Sequence, residues 1–342
     1  MTSRLTIYDR NGRLLADMDA TVKRSWLKNR YGAASWSMST LDEKCKEEYL
    51  QFGNLVLVEH DKLPDWGGYI VTNREWNSGI VKVNAREIMG RFADRWGVGV
   101  CNFAGSPGYA LEQFIYKANE IDDTRMRAGE LSRYGVATIR EVPRNTKMYD
   151  FITKMIDEFT EYLFAFTPAF DEGGGIIFKG NWYKQTDSIS QTILMEGHNI
   201  EAVDNVLVEQ GTIANRLHIE NSGATKRDKK AIHLDDEESK AKYGVSEYAE
   251  ELSTSTTYVQ PPFEETAREK LNKMRNPRKL YNFKVLDIEN AWYEMKVGSQ
   301  FSCELYSCGF LGSGMGSVTT VRIKGMSFDD NGRLELACED TE

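Results

Sequence analysis

The first hundred residues alternate between apolar and polar positions in short runs, and turn-forming residues separate these runs. Alternation with a period of two is the pattern of a strand that buries one face, so each run predicts a β-strand. Asn11-Gly12 lies between the first two runs and predicts a tight hairpin, because both residues tolerate a positive φ angle. Many short strands of this kind predict a barrel or a sandwich. The predicted strands cover residues 5–9, 13–18, 36–39, 55–59, 69–72 and 80–83.

The hydrophobic period changes to that of a helix between residues 101 and 195. A wide apolar stripe with a period of 3.6 residues predicts a helix over 148–162, and a second stripe predicts one over 109–121. Two apolar runs, 162–166 and 176–182, flank a glycine-rich turn and predict a hairpin. This part of the chain is therefore predicted to be a small α/β domain.

The β pattern returns at residue 196, and a polar excursion over 221–282 interrupts it. The excursion contains a predicted helix over 263–275, which ends at Asn276-Pro277. It also contains a basic cluster, which is predicted to be a solvated loop tip: Lys226, Arg227, Lys229 and Lys230. The predicted strands of this region cover residues 203–209, 214–220, 283–288, 301–305, 318–324 and 334–338.

The tetrapeptide Asn-Gly-Arg-Leu occurs at residues 11–14 and again at 331–334, once in each β-rich region. The recurrence predicts the same type of hairpin in both regions and favours two related β-barrel-like domains. The predicted fold class is α+β, mainly β. The predicted domains are a β-barrel-like domain over 1–100, an α/β middle domain over 101–195, and a second β-barrel-like domain over 196–342 that carries the insertion at about 221–282.

Composition excludes several classes of protein. The 342 residues include 52 acidic and 43 basic side chains, which gives a net charge of −9. A main partner that is nucleic acid would require a basic face, so the acidic balance argues against one. No apolar stretch approaches the roughly 20 residues that a membrane-spanning helix needs. The five cysteines are sparse and odd in number, which predicts reduced thiols rather than a disulfide framework.

Candidate catalytic and metal-binding residues are few. The glycine-rich stretch at 309–316 precedes a predicted strand, whereas a phosphate loop must precede a helix. Cys303 and Cys308 are the only close pair of cysteines, and no histidine lies near them in sequence, so they are predicted to be buried side chains rather than zinc ligands. Glu158 and Glu161 are the carboxylate pair that a hydrolase could use, but a solvated pair is the stronger interpretation. The sequence therefore predicts no catalytic residue, no cofactor, no metal ligand and no enzymatic activity.

Tryptophan is concentrated in the first hundred residues, which hold five of the seven: Trp26, Trp36, Trp66, Trp76 and Trp96. Large aromatic side chains in a small β domain favour packing in the core and at its rim. The alternative is a platform on which sugars of a host surface stack.

Several motifs occur in a fixed order along the chain, and together they carry a resemblance. They are Tyr31-Gly32-Ala33-Ala34-Ser35-Trp36, Trp66-Gly67-Gly68-Tyr69-Ile70, Arg86-Glu87-Ile88-Met89-Gly90-Arg91, the Asp-x-x-Ser…Tyr-Gly stretch from Asp236 to Gly244, Val297-Gly298, and Val321-Arg322-Ile323-Lys324-Gly325-Met326. In these motifs the sequence resembles the tail-tip or baseplate hub proteins of long-tailed bacteriophages, and it is similar to the hubs of contractile injection systems. The positions that mark the resemblance are Trp36, Trp66, Gly68, Ser239, Tyr243 and Gly244.

The resemblance implies a structural hub rather than an enzyme. It implies two β-barrel-like domains per subunit and a homotrimer, so that a ring of six similar domains can seat on a six-fold tail tube. The implied partners are a distal tail or tail tube protein and a fibre, spike or other baseplate protein, with DNA passing through the lumen without specific binding. The implied location is the virion tail tip, after synthesis in the bacterial cytoplasm. The alternatives are a phage-associated cell-wall hydrolase or peptidase, or a host-glycan-binding module.

Overall fold

The computed structural model describes residues 3–71, 75–96, 102–131, 138–141, 146–157, 161–185, 187–209, 213–221, 231–252, 263–307 and 317–341. Of the described residues, 50% lie in strands and 19% in helices, which confirms the predicted α+β, mainly β class. The strands are β1 (Arg4–Tyr8), β2 (Leu14–Met18), β3 (Val22–Leu27), β4 (Ala33–Ser39), β5 (Leu55–Glu59), β6 (Trp66–Ile70), β7 (Glu75–Asn77), β8 (Ile80–Glu87), β9 (Asn102–Gly105), β10 (Met126–Leu131), β11 (Thr138–Glu141), β12 (Tyr162–Phe170), β13 (Ile176–Lys184), β14 (Ile189–Met195), β15 (Ile200–Glu209), β16 (Arg216–Asn221), β17 (Ala231–Asp235), β18 (Glu247–Leu252), β19 (Arg278–Val285), β20 (Gln300–Leu305), β21 (Ser317–Asp329) and β22 (Arg333–Asp340).

The described residues contain fewer helices than strands. The helices are α1 (Pro107–Ile121), α2 (Met148–Asp157), α3 (Glu237–Tyr243) and α4 (Phe263–Met274), with 3₁₀ helices at Ile88–Asp94 and Ala291–Glu294. None of the helices in the described ranges combines the length and the apolar character that crossing a bilayer requires.

One large sheet connects the two β-rich regions. Among the described residues, fourteen strands share this sheet, whose main path runs β15-β19-β22-β21-β3-β4-β8-β6-β5-β1-β2. The regions meet where β3 pairs antiparallel with β21, from Lys23 opposite Asp329 to Leu27 opposite Gly325. A single apolar core draws side chains from both, including Trp66 of the first region and Phe301 of the last. The division of the chain into domains at residues 100 and 195 stays a prediction, and the sheet makes the two β regions neighbours within one layer.

The two Asn-Gly turns have the same structure, as their sequences predict. Gly12 connects β1 to β2 with a φ angle of +83°, and Gly332 connects β21 to β22 with a φ angle of +88°. In the first turn, the Asp9 carboxylate accepts hydrogen bonds from the backbone N–H groups of Asn11 and Arg13 at 2.8 and 2.9 Å. In the second, Asp329 accepts the corresponding bond from Asn331 at 3.0 Å. The repeated tetrapeptide therefore corresponds to a repeated turn.

The middle of the chain packs two helices against a three-stranded sheet of order β10-β13-β12. The helix predicted over 109–121 begins two residues earlier, because Ser106 caps it and Pro107 occupies its first turn. The prediction that the next helix continues to residue 162 is wrong, since Tyr162 already pairs with Lys184 at the start of β12. The predicted hairpin is confirmed, and it consists of the nine-residue strands β12 and β13.

The insertion forms a small layer of its own. Strands β17, β16 and β18 form a three-stranded sheet, and the predicted helix α4 packs against it. The core of this layer is buried: Ala214, Leu217, Ile219, Ala267 and Leu271. The predicted basic loop tip with Lys226, Arg227, Lys229 and Lys230 lies outside the described residues.

Candidate functional site

The tryptophan residues that mark the resemblance lie in the core. Trp36 and Trp66 are only 2% and 1% exposed, and Trp26 is also buried. The Trp66 indole N–H donates a hydrogen bond to the Ser25 carbonyl oxygen at 3.1 Å, which ties β6 to β3. Buried rings cannot stack on sugars, so the predicted packing role is confirmed for these three residues. Trp76 and Trp96 are 73% and 54% exposed, so burial in the core is not confirmed for them.

The glycine pair that follows Trp66 makes close backbone approaches possible. A Cβ atom on Gly68 would lie 2.2 Å from the carbonyl oxygen of Arg86 on β8. A Cβ atom on Gly67 would lie 2.5 Å from the ring of Phe178 on β13. Gly68 thus permits sheet pairing, and Gly67 is where the middle of the chain packs directly on the large sheet.

The residues of the Asp-x-x-Ser…Tyr-Gly stretch hold helix α3 at both ends. Asp236 caps the helix by accepting a bond from the Ser239 backbone N–H at 2.8 Å, and the Ser239 hydroxyl donates to the carbonyl oxygen of Arg275 after α4. Gly244 ends α3 with a φ angle of +79°, and its N–H donates to the Lys240 carbonyl oxygen at 2.9 Å. Tyr243 is partly exposed, and the Lys242 ammonium lies 5.0 Å from its ring centroid. Ser239 and Gly244 are thus structural residues of the insertion.

Asn215 connects these two positions, although no motif in the sequence includes it. It is fully buried, and its side-chain N–H₂ donates to the carbonyl oxygen of Gly244 at 2.6 Å and to the Ser239 hydroxyl at 3.4 Å. Its side-chain oxygen accepts a bond from the Ser246 N–H at 2.8 Å. The signal that could have identified Asn215 is a polar residue beside Ile213-Ala214 and Leu217, because a buried amide in such a run needs partners.

Replacing Asn215 with alanine is expected to loosen the insertion and to lower the free energy of unfolding by about 1–3 kcal/mol, because the partly buried Gly244 carbonyl and Ser246 N–H lose their hydrogen-bond partner. The matched control is Asn272→Ala on the exposed side of α4, where alanine is expected to be neutral. Urea denaturation gives the free energies, and hydrogen exchange of residues 231–252 localises the change. Equal effects of the two substitutions would contradict the role of Asn215.

A buried ion pair joins the two β regions beside the β3–β21 contact. The Arg24 guanidinium is fully buried, and it lies 3.2 Å from the Asp330 carboxylate, which is 4% exposed. Asp330 also accepts bonds from the Val22 backbone N–H at 2.8 Å and from the Ser3 hydroxyl at 2.5 Å. The Arg24 guanidinium lies over the Phe328 ring at 4.8 Å. Charge, backbone and ring contacts therefore meet where β3 pairs with β21, and we call this contact between the two β regions the joint. The sequence analysis did not predict it.

A charged cleft of about 570 Å³ lies where the β3–β4 turn, the end of α2, the end of α4 and strands β21–β22 meet. Arg30 and Asp157 pair across it at 2.7 Å, and Arg322 and Asp187 pair at 3.1 Å. Burial lowers the pKa of Lys28 in the same cleft to about 8. The ion pairs connect segments that are distant in sequence, so the cleft is a junction of the fold.

The structure describes one residue of each candidate pair of catalytic or metal-binding residues. Glu161 lies in the turn before β12, mostly exposed, and pairs with Lys184 at 3.1 Å, while Glu158 lies outside the described residues. Cys303 is buried in the core as predicted, and Cys308 also lies outside the described part. Within the described ranges, no group of three or more His, Cys, Asp or Glu side chains is arranged to hold a metal ion. The carboxylate pair of the hydrolase alternative thus gains no support from this geometry.

Comparison with known proteins identifies relatives through structure. No protein-family model matches the chain, and no curated protein matches it in sequence. The superposition on a tail protein from Neisseria meningitidis has a TM-score of 0.65 at 10% sequence identity, and it covers 100% of this chain and 97% of the other chain. Prophage tail protein gp18 from Listeria monocytogenes gives 0.61 at 12% identity, covering 99% and 94%.

A third neighbour comes from a secretion system. It is a component of the Escherichia coli type VI secretion system that is described as similar to the T4 bacteriophage tail proteins gp27 and gp5. It superposes with a TM-score of 0.52 at 11% identity, covering 94% of this chain and 73% of its own. Superpositions at such low sequence identity establish the fold and leave the activity open. The chain therefore has the fold of prophage tail proteins, as its ordered motifs predict.

Proposed function

We propose that the protein is a structural subunit of a phage tail tip or baseplate. The observation that carries this proposal is the extent of the structural match, which covers 99–100% of this chain and 94–97% of two phage tail proteins. An unrelated function would require a specific site on this fold, and the described residues contain no group of side chains arranged to hold a metal ion. The protein is accordingly non-enzymatic and resides at the tip of the virion tail.

The finer part of the proposal is a ring of three subunits that joins the six-fold tail tube to a distal fibre or spike protein. Among the described strands, β2 and β15 stand at the two ends of the main path of the large sheet, and each pairs with a single strand. Both carry an exposed leucine, Leu14 on β2 and Leu207 on β15. Open sheet edges with apolar side chains pair readily with another chain, and obligate interfaces often bury about 2,000 Å² or more. The net charge of −9 favours passage of DNA through the lumen without adhesion.

The test is the mass of the purified protein in solution, followed by imaging. We expect a particle of three times the 39.0 kDa subunit mass and a ring with an axial hole. Leu14→Arg on the sheet edge is expected to dissociate the particle, whereas Leu41→Arg, at a residue 91% exposed and outside the strands, is expected to leave it intact. A compact single subunit at high concentration would overturn the trimeric ring.

A further inference from the structure

His60 lies in the loop between β5 and β6, at the joint of the two β regions. The residue is 9% exposed, and its Nδ1 atom accepts hydrogen bonds from the backbone N–H groups of Lys62 and Leu63 at 3.1 and 3.2 Å. The ring centroid lies 5.0 Å from that of Phe328 and 6.2 Å from that of Trp292, both in the last β region. One imidazole thus shapes its own loop and packs across the joint.

The hydrogen bonds determine which form of the imidazole fits. Because Nδ1 accepts two bonds, the proton of the neutral ring is assigned to Nε2. A second proton would have to sit on Nδ1, where two N–H groups already point, and among the described residues the buried Nε2 atom has no hydrogen-bond partner.

The charges around the ring oppose that second proton on balance. Arg24 faces His60 from β3 and repels a cation, while Asp330 and Asp61 attract one. Asp330 already forms an ion pair with Arg24, and this pair largely offsets the attraction of Asp330 for a charged imidazolium. Burial, and after it the charge of Arg24, lower the pKa of His60 below its usual 6.5. The folded joint therefore selects the neutral ring.

The loop that His60 shapes carries a second connection between the regions. The Lys62 ammonium pairs with the Asp287 carboxylate, and it also donates to the Asn290 side-chain oxygen at 2.9 Å. Both partners lie in the loop before the 3₁₀ helix at Ala291–Glu294. Because the Lys62 backbone N–H donates to His60, the position of Lys62 depends on the neutral imidazole.

We propose that His60 is an acid-sensitive latch between the two β regions: neutral, it holds the 60–63 loop and the Lys62 contact in place, and its protonation releases both. This inference is independent of the proposed function. The unfolded chain takes up the proton first as pH falls, so the stabilisation is complete at neutral pH and is lost as pH drops below about 6.5.

The experiment compares the full-length protein with two variants by urea denaturation between pH 5 and pH 8 at one protein concentration. In His60→Asn the amide oxygen replaces Nδ1 as acceptor and does not titrate, and His198→Asn removes an exposed histidine as control. Glu87, whose pKa burial raises to about 7, gives a slope of opposite sign, but it is common to all three proteins and cancels in the comparison. We expect the unfolding constant of wild type relative to His60→Asn to rise by up to about tenfold per pH unit below 6.5.

Hydrogen exchange of wild type alone gives a second readout in case His60→Asn does not fold. After correction for the intrinsic pH dependence of exchange, residues 60–66 are expected to lose protection at pH 5 relative to pH 7.5, while β5 keeps its protection. Parallel stability curves for wild type and His60→Asn, or unchanged protection of residues 60–66, would overturn the latch.

Discussion

Alanine in place of Asp330 is expected to lower the free energy of unfolding by about 3–5 kcal/mol, the usual effect of removing one partner of a buried ion pair. The substitution leaves the fully buried Arg24 guanidinium without its counter-charge, and the Val22 N–H loses its acceptor. Burial lowers the pKa of Arg24, and the Asp330 charge acts in the opposite direction. Urea denaturation followed by circular dichroism measures the change.

Two further variants separate the buried charge from a general effect of losing an aspartate. Asp17→Ala breaks the ion pair between Arg4 and Asp17, whose side chains are 64% and 47% exposed, together with a hydrogen bond from the Thr6 hydroxyl, and it is expected to cost much less than Asp330→Ala. Arg24→Met combined with Asp330→Ala removes both charges and is expected to recover a large part of the lost stability. A cost for Asp330→Ala no greater than that for Asp17→Ala would show that the joint does not depend on this pair.

The same ion pair explains why the sequence pattern does not predict strand β3. In β3 (Val22–Leu27) buried positions alternate with more exposed ones. Arg24 occupies an inward position between Val22 and Trp26, so an apolar alternation is not visible in the sequence. Its partner Asp330 lies 306 residues further along the chain, and no local pattern can reveal such a contact. The turns at Asn11-Gly12 and Asn331-Gly332 are predictable because their hydrogen bonds connect residues two to four positions apart.

Helix α3 of the insertion likewise depends on contacts that are local in sequence and on contacts that are distant in sequence. Asp236 and Gly244 cap a seven-residue helix whose first turn contains Ser239, and the capping bonds follow from residue type at short spacing. The contacts that hold this helix in the protein go to Asn215 and Arg275, which are 24 and 36 residues away from Ser239. Sequence patterns thus predict the elements and their caps, whereas the joints between elements require the structure.

Alanine in place of Gly67 is expected to destabilise the protein by about 3 kcal/mol, at the upper end of the usual cost of overpacking. The added Cβ atom would lie 2.5 Å from the Phe178 ring and 2.9 Å from Cγ of Pro168. Neither neighbour can withdraw easily, because Phe178 is fully buried in the core between the large sheet and the middle of the chain. Thermal and urea denaturation measure the loss, and hydrogen exchange of β12 and β13 is expected to increase first.

Gly173→Ala is the matched control for this prediction. Gly173 lies in the β12–β13 turn, where a Cβ atom would meet only an Asp171 side-chain oxygen at an ordinary 3.4 Å, so the substitution is expected to be close to neutral. Phe178→Leu alone removes core volume, but in the Gly67→Ala background the smaller side chain makes room for the added carbon. The two substitutions together are therefore expected to cost less than the sum of their separate effects. Strict additivity would mean that Gly67 is not the point of contact between the middle of the chain and the large sheet.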